Sequence, residues 1–389
     1  MTASPKSKSV DIALCIFLGI FGAHRFYEGK FVTGGLYALS LGALGVGAIA
    51  DLLQILLGVR TDKNGRSIGK PGRLPRRLTK TLSVVVAAAI IVSLVWALFN
   101  QVVNGSVVGD TYYDDADVSM PLETEYTALG PSDVDEVTVG SDDTLFKTFK
   151  IWLPAEADSR ADLALPAVVV ANGSGTPFFR FEPVFRHLAS WGFIVIGNDD
   201  PDSGNGRSST LALDYLVKMN GDPQSELYQR VDIDRIGIAG HSQGGAAAIR
   251  AATTDSGPIS FASLFTASTP SLALIEDAEL SAWTYDTAKV RVPYFSVAGT
   301  GEVDAETIAP LTSMRENFDA VPDGVPAVMA RRDGADHGDM LTWADGYMTA
   351  WFRYTLMGDD EAEQVFIGPD AEITRNESWI DVDRKSLDE

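Results

Sequence analysis

Two kinds of apolar pattern divide the chain. Over the first hundred residues the apolar stretches are long: residues 12–23, then 31–59 with Asp51 as the one charge, then 82–99 with only Ser83 and Ser93 polar. A helix rises about 1.5 Å per residue and crosses a hydrocarbon core in about 18–20 residues, so three membrane helices are expected. Beyond residue 134 the apolar runs are short and punctuated. Residues 134–139 and 145–153 read as an opening pair of strands, and 165–171, 193–197, 236–238, 261–265, 294–298 and 327–330 as further ones. The stretch 165–171 has the continuous pattern of a strand buried on both faces. Residues 181–191, 210–219 and 343–357 read as helices between or after the strands. Such alternation predicts the α/β class: a doubly wound, mostly parallel sheet with helices on both faces, preceded by an all-α membrane domain of three helices.

Charge sharpens this division. Through Lys80 the chain carries twelve Lys/Arg against four Asp/Glu, and the remainder nineteen against forty-nine, within a net charge of −22. Two environments are implied, and so acidic a second half disfavours nucleic acid as a partner. The basic segment (Arg60, Lys63, Arg66, Lys70, Arg73, Arg76, Arg77 and Lys80 against Asp62) belongs in the cytoplasm by the positive-inside rule. The third span would then deliver everything after it to the outside. No signal-peptide cleavage site follows the first apolar run, and the single cysteine, Cys15, precludes an intrachain disulfide. The expected organisation is 1–60 a two-span membrane domain, 61–80 a basic cytoplasmic loop, 81–103 a third transmembrane helix, 104–124 an acidic tether, 125–365 the α/β domain and 366–389 an acidic tail.

Within the first domain, Gly19-Ile-Phe-Gly22-Ala-His-Arg25-Phe-Tyr27-Glu-Gly29 precedes a glycine-rich span with Asp51 near its end. This order resembles the two-transmembrane-helix (TM-two type) domain family, over residues 8–58. The resemblance implies a location in the lipid bilayer rather than an activity. A carboxylate in such a span is expected to pair with a basic group such as Arg25.

The second half is organised around Gly240-His241-Ser242-Gln243-Gly244, with an apolar strand before it and an alanine-rich helix after it. A serine on a sharp strand-to-helix turn is lifted above the sheet edge, and the glycines around it relieve collisions that side chains would cause. Ser242 is therefore the expected nucleophile. Of the four histidines, His24 lies in the membrane domain, His241 is expected to face away from the serine, and His187 reads as a surface or packing residue mid-helix. His337, in Gly334-Ala-Asp-His337-Gly-Asp after the last expected strand, is the expected base. Glu302 and Asp304 both follow the strand 294–298, and spacing from Pro293 favours Glu302 as the orienting acid. The backbone N–H groups of Gln243 and of Ser174, in Asn172-Gly-Ser-Gly175, are the expected oxyanion donors. Phe178 and Phe179 either wall an acyl pocket or pack beneath a helix.

Residues 125–360 resemble the α/β-hydrolase family, within it the cutinase-like polyester hydrolases, dienelactone hydrolases and chlorophyllase-type esterases. Gly240-His-Ser-Gln-Gly-Gly245, Leu188-Ala-Ser-Trp-Gly-Phe-Ile-Val-Ile-Gly197, Gly206-Arg-Ser-Ser209 and Gly334-Ala-Asp-His337 carry the likeness. It implies a membrane-anchored serine esterase without metal or organic cofactor, acting on small-molecule, lipid or polyester esters outside the cytoplasm. A glutamate in place of the usual aspartate and the missing aromatic of the oxyanion loop depart from that pattern. A non-catalytic envelope binding protein on the same fold and an acyltransferase using the same three residues are the alternative readings.

Overall fold

The computed structural model describes residues 3–69, 76–104, 106–144, 146–155, 164–254 and 259–387. Residues 70–75 of the basic segment, the first residue of the strand expected at 145–153 and the last two of the tail lie outside these. The chain divides into two compact units, Met1–Gly105 and Ser106–Glu389.

The first unit is helical: α1 (Lys8–Leu18), α2 (Ala23–Tyr27), α3 (Phe31–Leu44), α4 (Val46–Leu56) and α5 (Arg76–Asn104). The expected second span is two helices, because Gly45 adopts φ +81° between α3 and α4 and closes the first of them with an N–H to the Leu41 carbonyl. Among the described residues no helix is long and apolar enough to cross a membrane. Several polar groups inside the unit are paired, while among the described residues neither carboxylate oxygen of the buried Asp11 meets a hydrogen-bond donor. Asp51 accepts from Arg25 Nε at 2.6 Å, from Arg60 at 2.7 Å and lies 2.9 Å from His24 Nε2, so Arg25 is the partner that was expected.

The second unit is built on one nine-stranded sheet. In chain order the strands are β1 (Val134–Gly140), β2 (Thr148–Pro154), β3 (Leu165–Ala171), β4 (Ile194–Asn198), β5 (Val231–His241), β6 (Ser263–Ala267), β7 (Tyr294–Gly299), β8 (Ala327–Arg332) and β9 (Trp379–Lys385). Their spatial order is β1-β2-β4-β3-β5-β6-β7-β8-β9. The six strands from β3 to β8 run parallel, with β1, β2 and β9 antiparallel at the edges. Alternation along β3 explains its uninterrupted apolar sequence. Val168 and Val170 enter a core beneath α7 (Glu182–Ser190) and the helix Asp345–Phe352. Ala167 and Val169 enter the opposite core beneath α8 (Arg207–Asn220), α9 (Gln243–Thr253) and the helix Leu311–Ala320. A strand with apolar layers on both faces has no polar side to alternate with.

Two segment assignments are corrected. Residues 106–124 are part of the second unit rather than a tether: Val107 donates its N–H to the Arg180 carbonyl, and α6 (Pro121–Thr127) is capped by Glu372, whose carboxylate accepts from the N–H groups of Leu122 and Glu123 at 2.8 Å. The stretch 366–389 is likewise no free tail. β9 pairs with β8, Trp379 donates its indole N–H to Glu123 at 2.6 Å, and Asn376 donates to the same carboxylate. Acidic residues that looked solvated act as buried acceptors for each other's segments, which satisfies groups that would otherwise be costly to bury.

His187 is buried, as a packing residue would be, but also carries charge chemistry. Its Nε2 is 2.8 Å from the Ala128 carbonyl, and its Nδ1 lies 2.7 Å from an Asp345 carboxylate oxygen. The Tyr112 hydroxyl donates to the same carboxylate. Burial alone would lower the His187 pKa, but Asp345 and the backbone carbonyls outweigh it and hold the imidazole above its ordinary value. A raised folded-state pKa stabilises the fold fully below the unfolded value of about 6.5, and this contribution is lost as pH rises through the folded value. Thermal unfolding from pH 6 to 9 should therefore show a decline in Tm that His187→Gln flattens.

Candidate active site

β5 delivers Ser242 and α9 begins at the next residue. Ser242 sits at φ +58°, ψ −127°, a left-handed conformation that a non-glycine residue holds only when its surroundings enforce it. They do so through close backbone approach. A Cβ at Gly240 would meet the Gly244 carbonyl oxygen at 2.0 Å, and one at Gly244 would meet that of Ala171 at 2.2 Å. The glycines are thus required by crowding at the elbow, while the Ser242 N–H is fixed on the Ala267 carbonyl at 2.9 Å.

Ser174, Glu302 and His337 lie in loops after β3, β7 and β8, at the carboxyl ends of the strands. His337 Nε2 is 3.0 Å from Ser242 Oγ. Its Nδ1 is 2.7 Å from Asp304 Oδ1, so the carboxylate against the imidazole is that of Asp304 and not Glu302. The physical reason is local geometry. After Gly299 the chain does not run on extended but turns helically: Ala305 donates its N–H to Gly301, and a π-type turn follows over Asp304–Ile308. On a helical turn, residues two apart point to opposite sides. Asp304 is fully buried toward His337, and Glu302 is exposed to solvent.

Asp304 is held from three directions. Besides Nδ1 of His337, its Oδ2 accepts from Ser268 Oγ at 2.5 Å and from the Gly299 N–H at 2.9 Å. Burial would raise its pKa, but the hydrogen bonds from His337, Ser268 and Gly299 prevail and hold the carboxyl below its usual range. It remains an anion that can fix the imidazole tautomer and stabilise an imidazolium. Ser268 has no motif around it, and its φ of +50° in a tight turn after β6 gave no signal in the sequence.

Gln243, the first residue of α9, has a backbone N–H with no intrahelical acceptor, beside Ser242. Its side chain is buried and donates to Asp202 at 2.7 Å. Ser174 is exposed in the loop after β3, which is anchored by Gly175 N–H to the Pro201 carbonyl and by Asn172 Nδ2 to the carbonyls of Asn198 and Asp200. Phe178 packs in the core against Trp152 and Phe179 rather than forming an open wall, while Phe179 is half-buried. His241, expected to face away from the serine, has its ring 4.7 Å from that of His337. Among the described residues no cluster of His, Cys, Asp and Glu could hold a metal ion. The arrangement is chemically able to move a proton from Ser242 Oγ to an imidazole oriented by a carboxylate.

Residues 120–379 match the PET hydrolase-like family model and residues 4–53 the TM2 domain model. The chain is 28% identical over 303 residues to "Bis(hydroxyethyl) terephthalate hydrolase" of Streptomyces coelicolor, covering 74% of this chain and 87% of that protein. It is 30% identical over 161 residues to "Cutinase 2" of Thermobifida cellulosilytica, covering 39% of this chain and 52% of the cutinase. Over 42 residues it is 53% identical to "TM2 domain-containing protein DDB_G0287015" of Dictyostelium discoideum, 11% of this chain and 31% of that one. With its parallel-rich sheet and the matching span of more than half its length, the chain belongs to the PET hydrolase-like family of α/β-hydrolases and carries a TM2 domain at its N-terminus.

Proposed function

We propose that this protein is a serine esterase whose nucleophile is Ser242, base His337 and orienting acid Asp304. The continuous chain of contacts at 3.0 and 2.7 Å through these three residues carries the reading. Ser242 Oγ attacks an ester carbonyl as its proton passes to His337 Nε2. The N–H groups of Gln243 and Ser174 receive the oxyanion. His337 then protonates the departing alcohol, and water, activated by the same imidazole, releases the acid from the acyl-enzyme. The named relatives suggest substrates among bis(hydroxyethyl) terephthalate and cutin-like polyesters, with short aromatic diesters favoured because the match to the terephthalate diester hydrolase covers more of this chain than that to the cutinase. Labelling with a fluorophosphonate probe, then hydrolysis of bis(hydroxyethyl) terephthalate beside p-nitrophenyl esters of rising chain length, tests this. A wild-type protein that takes up no probe and turns over no ester would refute it.

The first unit supports membrane association. Phe17, Val32, Leu39 and Trp96 are each about two-thirds exposed or more, an arrangement in which lipid is the fitting solvent. The basic segment would face the cytoplasm and the esterase unit the outside. Protease added to intact cells should then degrade the second unit; protection of it until the cells are lysed would reverse the topology.

A further inference from the structure

His241 is hydrogen-bonded to the main chain of the candidate base, and the esterase reading gives it no task. It is the last residue of β5, is 7% exposed, and its Nε2 lies 2.7 Å from the main-chain carbonyl of His337. A carbonyl can only accept, so Nε2 carries the proton and donates. Burial, with His337 alongside, pushes the His241 imidazole down to about 4, so it stays neutral over the range in which an esterase of this kind works. Nδ1 is then a bare acceptor. It faces the loop after β3, 3.6 Å from where a Cβ on Gly173 would stand.

The contacts of the 333–339 loop show why this bond matters. The loop is fastened to the segment that bears Asp304: Gly301 N–H donates to the Ala335 carbonyl, Gly334 N–H to Thr300 Oγ1, and Asp304 N–H to Asp336. It is also tied to itself through Asp336 N–H to Asp339. Among the described residues, only two hydrogen bonds join it to the nucleophile elbow: the 3.0 Å contact of His337 with Ser242, and the bond from His241. The first must break and re-form during turnover. The second touches no reacting atom and can persist throughout.

We propose that His241 is a positioning residue, its Nε2–H clamping the base loop to the elbow so that the His337 imidazole stays in reach of Ser242 Oγ. This rests on the esterase reading. The elbow and the acid loop are separate segments, and a drift of the base loop of about an ångström would lengthen the serine–imidazole contact beyond productive distance. Since the clamp acts on the geometry of proton transfer and not on substrate contact, its loss falls on kcat and leaves KM unchanged.

The experiment compares His241→Phe, which keeps a ring without a donor, with His241→Gln, whose side-chain amide can place an N–H near the position of Nε2. Expected is a fall in kcat on the order of tenfold for His241→Phe, as for loss of one well-aligned hydrogen bond, with KM within about twofold. His241→Gln should recover most of it. Amide hydrogen exchange over residues 335–340 should accelerate in the phenylalanine variant and return toward wild type in the glutamine one. Wild-type kcat and exchange in His241→Phe would overturn the proposal, as would equal losses in both variants accompanied by equal falls in Tm, which mark a packing role. Failure of the esterase reading is seen separately, as absence of probe labelling in the wild-type protein, and the exchange comparison still decides whether His241 clamps the loop.

Discussion

Ser242→Ala is expected to lower kcat for p-nitrophenyl esters by on the order of 10⁴- to 10⁶-fold and to abolish fluorophosphonate labelling, with little change in Tm. The proposed mechanism passes through a covalent bond to Oγ, for which alanine offers no substitute, so only the background from oriented donors survives. Stability should hold because the elbow is maintained by backbone contacts, the Ser242 N–H on Ala267 and the crowded glycines, and not by the hydroxyl. A variant retaining more than a few per cent of the rate would remove Ser242 from the mechanism.

Asp304→Asn should cost about 10⁴-fold in kcat, against about twofold or less for Glu302→Gln. An amide at 304 can present its NH₂ to His337 Nδ1, which selects the tautomer protonated on Nε2 and leaves no lone pair to accept the serine proton. Ser268 and the Gly299 N–H now both donate to Oδ2, so an NH₂ placed on that side instead would face two donors. Either orientation leaves the site mismatched. Glu302 lies in solvent and touches none of these groups in the described contacts. Reversal of this ranking would return the acid to Glu302; equal and modest losses would mean that the imidazole needs no fixed carboxylate.

The misplacement of the carboxylate beside His337 shows where linear spacing stops being informative. Counting from Pro293 measures distance along the chain, and two carboxylates two residues apart differ little by that measure. Whether they share a face depends on whether the loop is extended or helical, and the turn over 301–308 is fixed by hydrogen bonds from Gly301 to Ala335 and from Asp304 to Asp336, residues of another loop. The same limitation hid the acidic segments. Asp and Glu near a terminus look solvated until Trp379, Asn376 and the N–H groups of α6 supply donors from more than 200 residues away along the chain.

Local rules were sufficient elsewhere. The apolar runs at 165–171, 193–197, 294–298 and 327–330 each fall on a strand of the sheet, because a strand between two helical layers must be apolar on both faces. Gly240-x-Ser242-x-Gly244 identified the elbow because its steric demand is met by residues within the motif and the strand beside it. His337 was legible by elimination, as one of four histidines and the one placed after a terminal strand. Within the first unit the pairing of Asp51 with Arg25 followed from the cost of leaving a carboxylate alone among apolar side chains. The break at Gly45 did not, since glycine in an apolar run suits close helix packing and a left-handed turn equally well. The sequence thus determined the strands, the elbow and the candidate base, whose causes are local or periodic. Tertiary structure decided which carboxylate meets His337, the role of both acidic segments and the contact of His241 with the 333–339 loop, because each depends on which distant group arrives to meet a given side chain.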